Sequence, residues 1–262
     1  MIHNIRQKLF LALSVSAFAV SAIAAPSLRS KNPEEGLEAA KGLAKAKASK
    51  AVPTLVSGLA LGLHKDVTVA ALDALAVHGA ENTKKFPKKA VKTLLEYARH
   101  RNDLVRVAAY KGLVPVKGKD VDKLFFNALK DKNQNVRQVA ARQMAARKFT
   151  QATPALLQLL KKGDVEAGKA LSTLADVKTA KEIIDLNGHA PDDLLASTLG
   201  DIAMRKKLGS EEDTNAILSG LAKVPGPETI KQLQRVVDSI PEKPFSQKRK
   251  EAEILLKQRL GQ

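Results

Sequence analysis

Two stretches of the chain, Asn102–Leu113 and Asn133–Met144, carry the same order of hydrophobic and polar positions. Each begins with polar residues and continues with a Val-Arg pair. Small apolar residues follow three and four positions after the Val, and a larger apolar residue follows eight positions after it. This order is typical of a capped helix start that leads into one apolar stripe. Val105 and Val136 lie 31 residues apart, which predicts a supersecondary repeat.

The pattern extends in both directions from these two copies. Val67–Leu75 matches them column by column, and Ala167 follows Val136 by another 31 residues but lacks the Val-Arg pair. A second apolar helix pattern precedes each central copy, at 90–98 and at 121–129. The sequence therefore predicts two helices per roughly 30 residues and about six such units, none of which buries its apolar stripe alone.

The flanking segments predict where this array begins and ends. Asn32–Glu35 has a polar N-cap, a Pro and two acids, which together predict a helix start. We expect residues 25–50 to form an N-terminal capping helix, and Pro53 to open the first helix of a repeat array that spans residues 51–240. Pro241 and Pro244 break the pattern, and we expect residues 241–262 to form a charged C-terminal capping helix.

Composition favours an all-α fold. Aromatic residues make up 3% of the chain and Trp is absent, so Ala, Leu and Val must fill a core of closely packed helices. Few segments alternate with the period of two that a half-buried strand requires. The fold class that we predict is an α-solenoid of stacked antiparallel helix pairs.

The repeated stretches at 67–75, 102–113 and 133–144 resemble the HEAT-repeat family, especially the short bacterial repeats of phycobilisome lyases. In that family the Arg after the Val commonly packs or pairs at the junction between repeats. The resemblance thus implies structural roles for Arg106 and Arg137, with Asp103 and Asn133 nearby. Thr68 and Gly168 replace this Arg in the neighbouring units, so we expect a short arginine ladder.

The first 24 residues predict a secretory signal peptide. Arg6 and Lys8 precede an apolar run from Leu9 to Ile23, and Ala22-Ile23-Ala24 offers a small-x-small cleavage site. A membrane anchor is the alternative, but this run is short for a span of about 20 residues. We therefore expect a periplasmic or secreted protein without a transmembrane segment in the mature chain, and the absence of Cys suits an oxidising compartment.

Positive charge is concentrated on the central repeats. The formal net charge is +17, and the segment from Lys84 to Lys148 contains 18 Lys or Arg against 5 Asp or Glu, or +13. Lys111 aligns with Arg142, and Arg106 with Arg137, so stacking could form a basic stripe; a purely solvating surface is the alternative. The candidate binding residues are Lys84, Lys85, Lys88, Lys89, Lys92, Arg106, Lys111, Arg137, Arg142 and Arg147.

Catalytic and metal-binding patterns are absent from the sequence. The four His residues after the leader lack metal-ligand spacing, and no Gly-x-Ser-x-Gly or phosphate-binding Gly-Lys-Ser/Thr motif occurs. The acidic groups at 34–35, 192–193 and 211–213 each fall at an expected helix start, where they offset the helix dipole. We therefore predict no enzymatic activity, no metal site and no cofactor.

The function that we expect is that of an exported, non-enzymatic HEAT-repeat scaffold or adaptor. Its partner would be a protein or an anionic envelope macromolecule, because a solenoid offers a long surface for large partners. Nucleic-acid binding through the central basic surface is the alternative, by likeness to HEAT-like DNA glycosylases. A third hypothesis, an enzyme or a bilin-lyase-like chaperone, has only the shared repeat in its favour. Oligomeric state has no signature in the sequence.

Overall fold

The computed structural model describes residues 27–82, 86–243 and 246–261. The predicted leader, Lys84 and Lys85 lie outside these ranges. Within them the chain forms fourteen α-helices, a 3-10 turn at Thr150–Ala152 and no strand. The helices are α1 Pro33–Lys45, α2 Ala48–Ala60, α3 Lys65–Glu81, α4 Lys88–Tyr97, α5 Asp103–Leu113, α6 Lys119–Ala128, α7 Gln134–Ala146, α8 Thr153–Lys161, α9 Val165–Leu174, α10 Val177–Ile184, α11 Asp192–Ala203, α12 Glu211–Lys223, α13 Pro227–Asp238 and α14 Gln247–Leu260.

These helices are arranged in two rows. The odd-numbered helices from α1 to α13 pack side by side in chain order, and we call them the odd row. The even-numbered helices from α2 to α14 form the even row, and each helix from α2 to α12 packs on the odd-numbered helix that follows it. The pairs α2–α3 to α12–α13 are six units, so the predicted all-α solenoid of about six helix pairs is confirmed.

Asparagine caps start the central helices of the odd row. The Asn102 side chain accepts hydrogen bonds from the backbone N–H groups of Leu104 and Val105, and Asn133 caps α7 in the same way. Such caps satisfy N–H groups that have no partner inside the helix. The repeat pattern therefore predicted these two helix starts correctly. The three acidic groups at 34–35, 192–193 and 211–213 also lie in the first turns of α1, α11 and α12.

Small residues let neighbouring helices approach closely. A Cβ added to Gly112 would lie 2.6 Å from Leu94 of the preceding helix, and one added to Gly200 would lie 2.5 Å from Gln232 of α13. The core between the rows consists mainly of Ala, Leu and Val, with Phe125 as its largest fully buried side chain. This composition produces the tight helix packing that low aromatic content predicted.

The first helices differ from the sequence-based prediction. Pro53 does not open a helix; it lies inside α2, which begins at Ala48. The preceding residues Ala51 and Val52 are buried in the core, so tertiary packing extends the helix ahead of the proline at the loss of one backbone hydrogen bond. The predicted capping segment 25–50 consequently contains α1 and also the first turn of α2.

One of the four histidines after the leader is buried, which the sequence pattern did not indicate. His78 lies inside α3, is 2% exposed and is hydrogen-bonded through Nε2 to the Leu43 carbonyl oxygen, 2.8 Å away. It therefore joins α3 to the end of α1. Its neighbours Ala74 and Leu75 are core residues, and the histidine follows the same buried stripe.

Candidate basic binding surface

Arg106 is occupied by contacts within the protein. Its Nε and Nη2 donate hydrogen bonds to the two carboxylate oxygens of Asp131 at 2.9 and 2.7 Å, and Nη1 donates to the carbonyl oxygens of His100 and Arg101. Burial alone would raise the pKa of Asp131, but hydrogen bonds from Arg106 and from the Asn133 backbone outweigh burial and lower it. Arg106 thus joins one unit to the next.

Arg137 repeats this arrangement one unit later in a looser form. Its Nη1 donates to the carbonyl oxygens of Asp131 and Lys132, both at 2.9 Å. Its ion-pair partner is Asp164, but Arg137 Nε lies 4.0 Å from Asp164 Oδ2, too far for a hydrogen bond. Both side chains are largely buried, and Arg137 is therefore a junction residue with little surface to offer a partner.

Arg147 closes the opposite end of the same units. It donates to Asp122 at 2.6 Å and to the carbonyl oxygens of Val114 and Val116, and its guanidinium lies 4.9 Å from the centre of the Phe125 ring. Its side chain is 13% exposed. Three of the candidate arginines, 106, 137 and 147, therefore hold the fold together, and we remove them from the proposed binding surface.

Lys111 and Arg142 lie at equivalent exposed positions of the odd row. Arg142 Nε lies 3.6 Å from Glu166, and Lys111 faces Asp73 of α3. Burial raises the pKa of Asp73, and the positive charge of Lys111 acts in the opposite direction. In the units before and after these two, the aligned positions are occupied by Asp73 and Thr173. The predicted basic stripe is therefore only two residues long, and nearby acids partly neutralise it.

The remaining candidates, Lys88, Lys89 and Lys92, are exposed on α4 of the even row. None of them has an acidic partner within 4.0 Å among the described residues. Of these three, Lys92 lines a groove of about 500 Å³ that separates α4 from α6. We call it the α4–α6 groove, and its lining residues are Lys92, Leu95, Glu96, Arg99, Asp120, Lys123, Leu124 and Asn127.

The candidates chosen from the sequence omitted four further free cations on or beside α4 and α6. Arg99 and Lys123 line the α4–α6 groove, and Lys119 and Lys130 are exposed at the two ends of α6. None of the four forms an ion pair in the part of the chain that the structure describes. The available signal was helical spacing, because Lys88, Lys92 and Arg99 recur at four and seven residues, as on one helix face.

The aromatic rings near this surface are engaged elsewhere. The Tyr97 hydroxyl donates to the Leu59 carbonyl oxygen, Tyr110 packs on Phe125, and Phe126 packs on Phe149. None of these rings lines the groove. Stacking platforms of the kind that bind single-stranded nucleic acid are therefore missing from the α4–α6 groove.

Within residues 27–82, 86–243 and 246–261, no cluster of three or more His, Asp or Glu side chains could hold a metal ion. None of the helices described is both long and apolar enough to cross a membrane. The exposed cations of α4 and α6 therefore form the candidate binding surface.

Fold and surface together define an all-helical solenoid whose even row carries a groove lined by two lysines, one arginine and two acids. No family model matches this chain, and neither does any curated protein. Three crystal structures of engineered proteins from the Northeast Structural Genomics Consortium are similar over most of the chain. The first shares 19% identity over 90% of this chain and 66% of its own length, with a TM-score of 0.49.

The other two engineered proteins are similar at 19% and 20% identity. They cover 89% and 90% of this chain and 94% and 96% of their own lengths, with TM-scores of 0.39 and 0.37. This chain thus spans about two thirds of the first engineered protein and nearly all of the other two. The architecture described above rests on the chain's own helices and contacts.

Proposed function

We propose that this chain is an exported, non-catalytic scaffold of HEAT-like repeats that binds an anionic macromolecule through its even row. The observation that carries the proposal is that the basic side chains fall into two groups, one bonded inside the fold and one unpaired on its surface. Arg106, Arg137 and Arg147 bond to carbonyl or carboxylate oxygens inside the fold, whereas the cations on α4 and α6 have no acidic partner among the described residues. Unpaired charge on one face supports binding of a partner with the opposite charge.

An acidic protein or an anionic envelope polymer fits the proposed location of this scaffold. The leader at 1–24, which lies outside the described residues, supports export by its sequence pattern alone. The HEAT-like kinship is supported by the Arg106–Asp131 junction, since pairing of this kind is what the resemblance implied. A stack of six helix pairs also offers a surface long enough for a macromolecular partner.

Capture from an envelope extract tests the proposal. The bait is the chain from residue 25 to 262, compared with a variant that carries Lys88→Gln, Lys89→Gln and Lys92→Gln. The matched control carries Lys47→Gln, Lys206→Gln and Lys207→Gln, three exposed lysines that form no ion pair in the described ranges. We expect the unmodified bait and the control to retain an anionic partner that the α4 variant loses. Equal capture by all three baits, or no anionic partner at all, would contradict the proposal.

Nucleic-acid binding remains the second candidate because of the central charge. It predicts that affinity for a DNA duplex falls steeply with salt, by about a factor of 10³ between 50 and 200 mM if six phosphates are contacted. A filter-binding assay at these two concentrations measures that slope. The engaged aromatic rings near the groove favour the protein or polymer partner.

A further inference from the structure

The α4–α6 groove has a floor and a rim of different chemistry. Leu95 of α4 and Leu124 of α6 form part of its lining while they pack on the core. Lys92, Arg99 and Lys123 surround these leucines as exposed cations. A ligand that follows this groove therefore meets an apolar strip flanked by positive charge.

The length of the groove suits a short helical segment. Both bordering helices contain 10 residues, which corresponds to a length of about 15 Å. α4 and α6 make far less contact with each other than neighbouring helices of the odd row do, so the space between them is open. A helix of about ten residues laid along this space would bury one apolar face, as amphipathic helices do in other grooves.

Two acids interrupt the positive rim and limit the kind of ligand. Glu96 of α4 and Asp120 of α6 line the groove beside the cations. A ligand with a continuous run of phosphates would bring some of them against these carboxylates, and like charges in contact disfavour binding. A segment whose carboxylates are spaced along a helix can instead place each acid on a cation.

From these features, and building on the function proposed above, we propose that the α4–α6 groove binds an acidic amphipathic helix of a protein partner. Apolar side chains of that helix lie on Leu95 and Leu124. Its carboxylates pair with Lys92, Arg99 and Lys123. The partner is thus an acidic protein rather than a nucleic acid or a uniformly charged polymer.

A single labelled cysteine provides a direct test, because the chain contains no Cys. Asn127→Cys places an environment-sensitive dye on the groove, and Thr173→Cys places the same dye on an exposed position of the odd row. The probe is a 14-residue peptide designed as an amphipathic helix. Its Leu residues are spaced three and four positions apart so that they form one apolar stripe, and Glu residues lie on both sides of this stripe. We expect a saturable fluorescence change from the dye at position 127 and none from the dye at position 173.

Charge reversal identifies the contact residues in the same assay. Lys92→Glu together with Lys123→Glu should weaken peptide binding by about tenfold or more, since each reversal replaces an attraction by a repulsion. The matched control, Lys206→Glu with Lys207→Glu, makes the same change in net charge away from the groove and should alter affinity less than about twofold. Circular dichroism confirms that both variants remain helical.

Three outcomes would overturn the groove proposal. The first is the absence of a fluorescence change from the dye at position 127 when the peptide is added. The second is an equal loss of peptide affinity in both double variants. The third is tighter binding of a single-stranded DNA or of polyglutamate than of the amphipathic peptide. If the envelope extract still yields an anionic partner that the α4 variant loses, the scaffold function stands and only the acidic-helix assignment fails. If both experiments fail, the scaffold function fails with it.

Discussion

At the scale of single residues, Arg106 and the lysines of α4 have different roles. Arg106 binds Asp131 through two parallel hydrogen bonds and two backbone carbonyl groups through a third nitrogen. A planar guanidinium has enough donors for all of these contacts, whereas an ammonium group is a compact and strongly hydrated charge. The lysines of α4 therefore extend into solvent, where a partner can reach them.

Replacement of Arg106 tests this division of roles. Arg106→Gln leaves the part-buried carboxylate of Asp131 without its partner, and we expect the free energy of unfolding to fall by about 2–3 kcal/mol. Arg142→Gln is the control, because Arg142 is exposed and its contact with Glu166 is long; we expect a loss below about 0.5 kcal/mol. Urea denaturation measures both values, and equal losses would contradict the assignment.

The same pair predicts a pH dependence. The pKa of Asp131 lies below its ordinary value of 3.8, so its ionised form stabilises the fold above that pH, and this stabilisation is lost as pH falls through the lowered pKa. The stability difference between the native chain and Asp131→Asn should therefore be constant from pH 7 to about pH 5 and shrink below about pH 4. Urea titrations at a series of pH values measure it. A difference that persists unchanged to pH 2.5 would refute the prediction.

At the scale of helices, glycine positions decide how closely neighbouring elements pack. Gly220 of α12 faces Ile184 of α10, and a Cβ at that position would lie 2.5 Å from two atoms of the Ile184 side chain. Gly42 lies inside α1 with no atom within 4 Å of an added Cβ. The two glycines share a helical backbone and differ only in their tertiary surroundings.

Alanine substitution separates these two effects. Gly220→Ala should destabilise the protein by about 1–3 kcal/mol, because α10 and α12 must move apart or Ile184 must change its rotamer. Gly42→Ala should stabilise it by about 0.5–1 kcal/mol, because alanine favours the helix and meets no neighbour. Thermal unfolding of the two variants under the same conditions measures both effects. We expect the unfolding temperature to fall for Gly220→Ala and to rise for Gly42→Ala.

At the scale of the whole molecule, α14 closes the stack. It packs against both α12 and α13 and buries Ala252 and Leu256. Its basic side chains also reach the ends of preceding helices, since Arg249 donates to the Val237 carbonyl oxygen and Lys248 donates to that of Arg205. Positive charge at a helix C-terminus is favourable, so this highly charged helix stabilises the last unit while it covers its apolar side.

Removal of α14 tests its capping role. A chain that ends at residue 243 should expose the apolar face of α12 and α13, bind a hydrophobic dye and unfold about 5–15 °C lower. A chain that ends at residue 260 retains α14 and serves as the control, with an expected change below about 1 °C. Calorimetry and dye fluorescence measure the two effects. An unchanged unfolding temperature in the shorter chain would show that α14 is dispensable.

The sequence by itself determined the all-helical fold, the period of the repeats and the starts of the central helices α5 and α7. Asn102 and Asn133 bond to N–H groups only two and three residues away, and an apolar stripe is visible within a single helix. Such interactions are local, so a pattern of residues is sufficient to predict them. The order of stacking also followed, because each hairpin must cover its neighbour's apolar side.

Only the tertiary structure decided which charges are free. Arg106, Arg147 and Lys92 each count as one positive charge in the sequence, but the carboxylates that bind the two arginines, Asp131 and Asp122, each lie 25 positions away in the chain. The same holds for Pro53, which packing of Ala51 and Val52 places inside a helix. Distant partners have no signature in local sequence, and burial decides whether a cation stabilises the fold or remains available to a ligand.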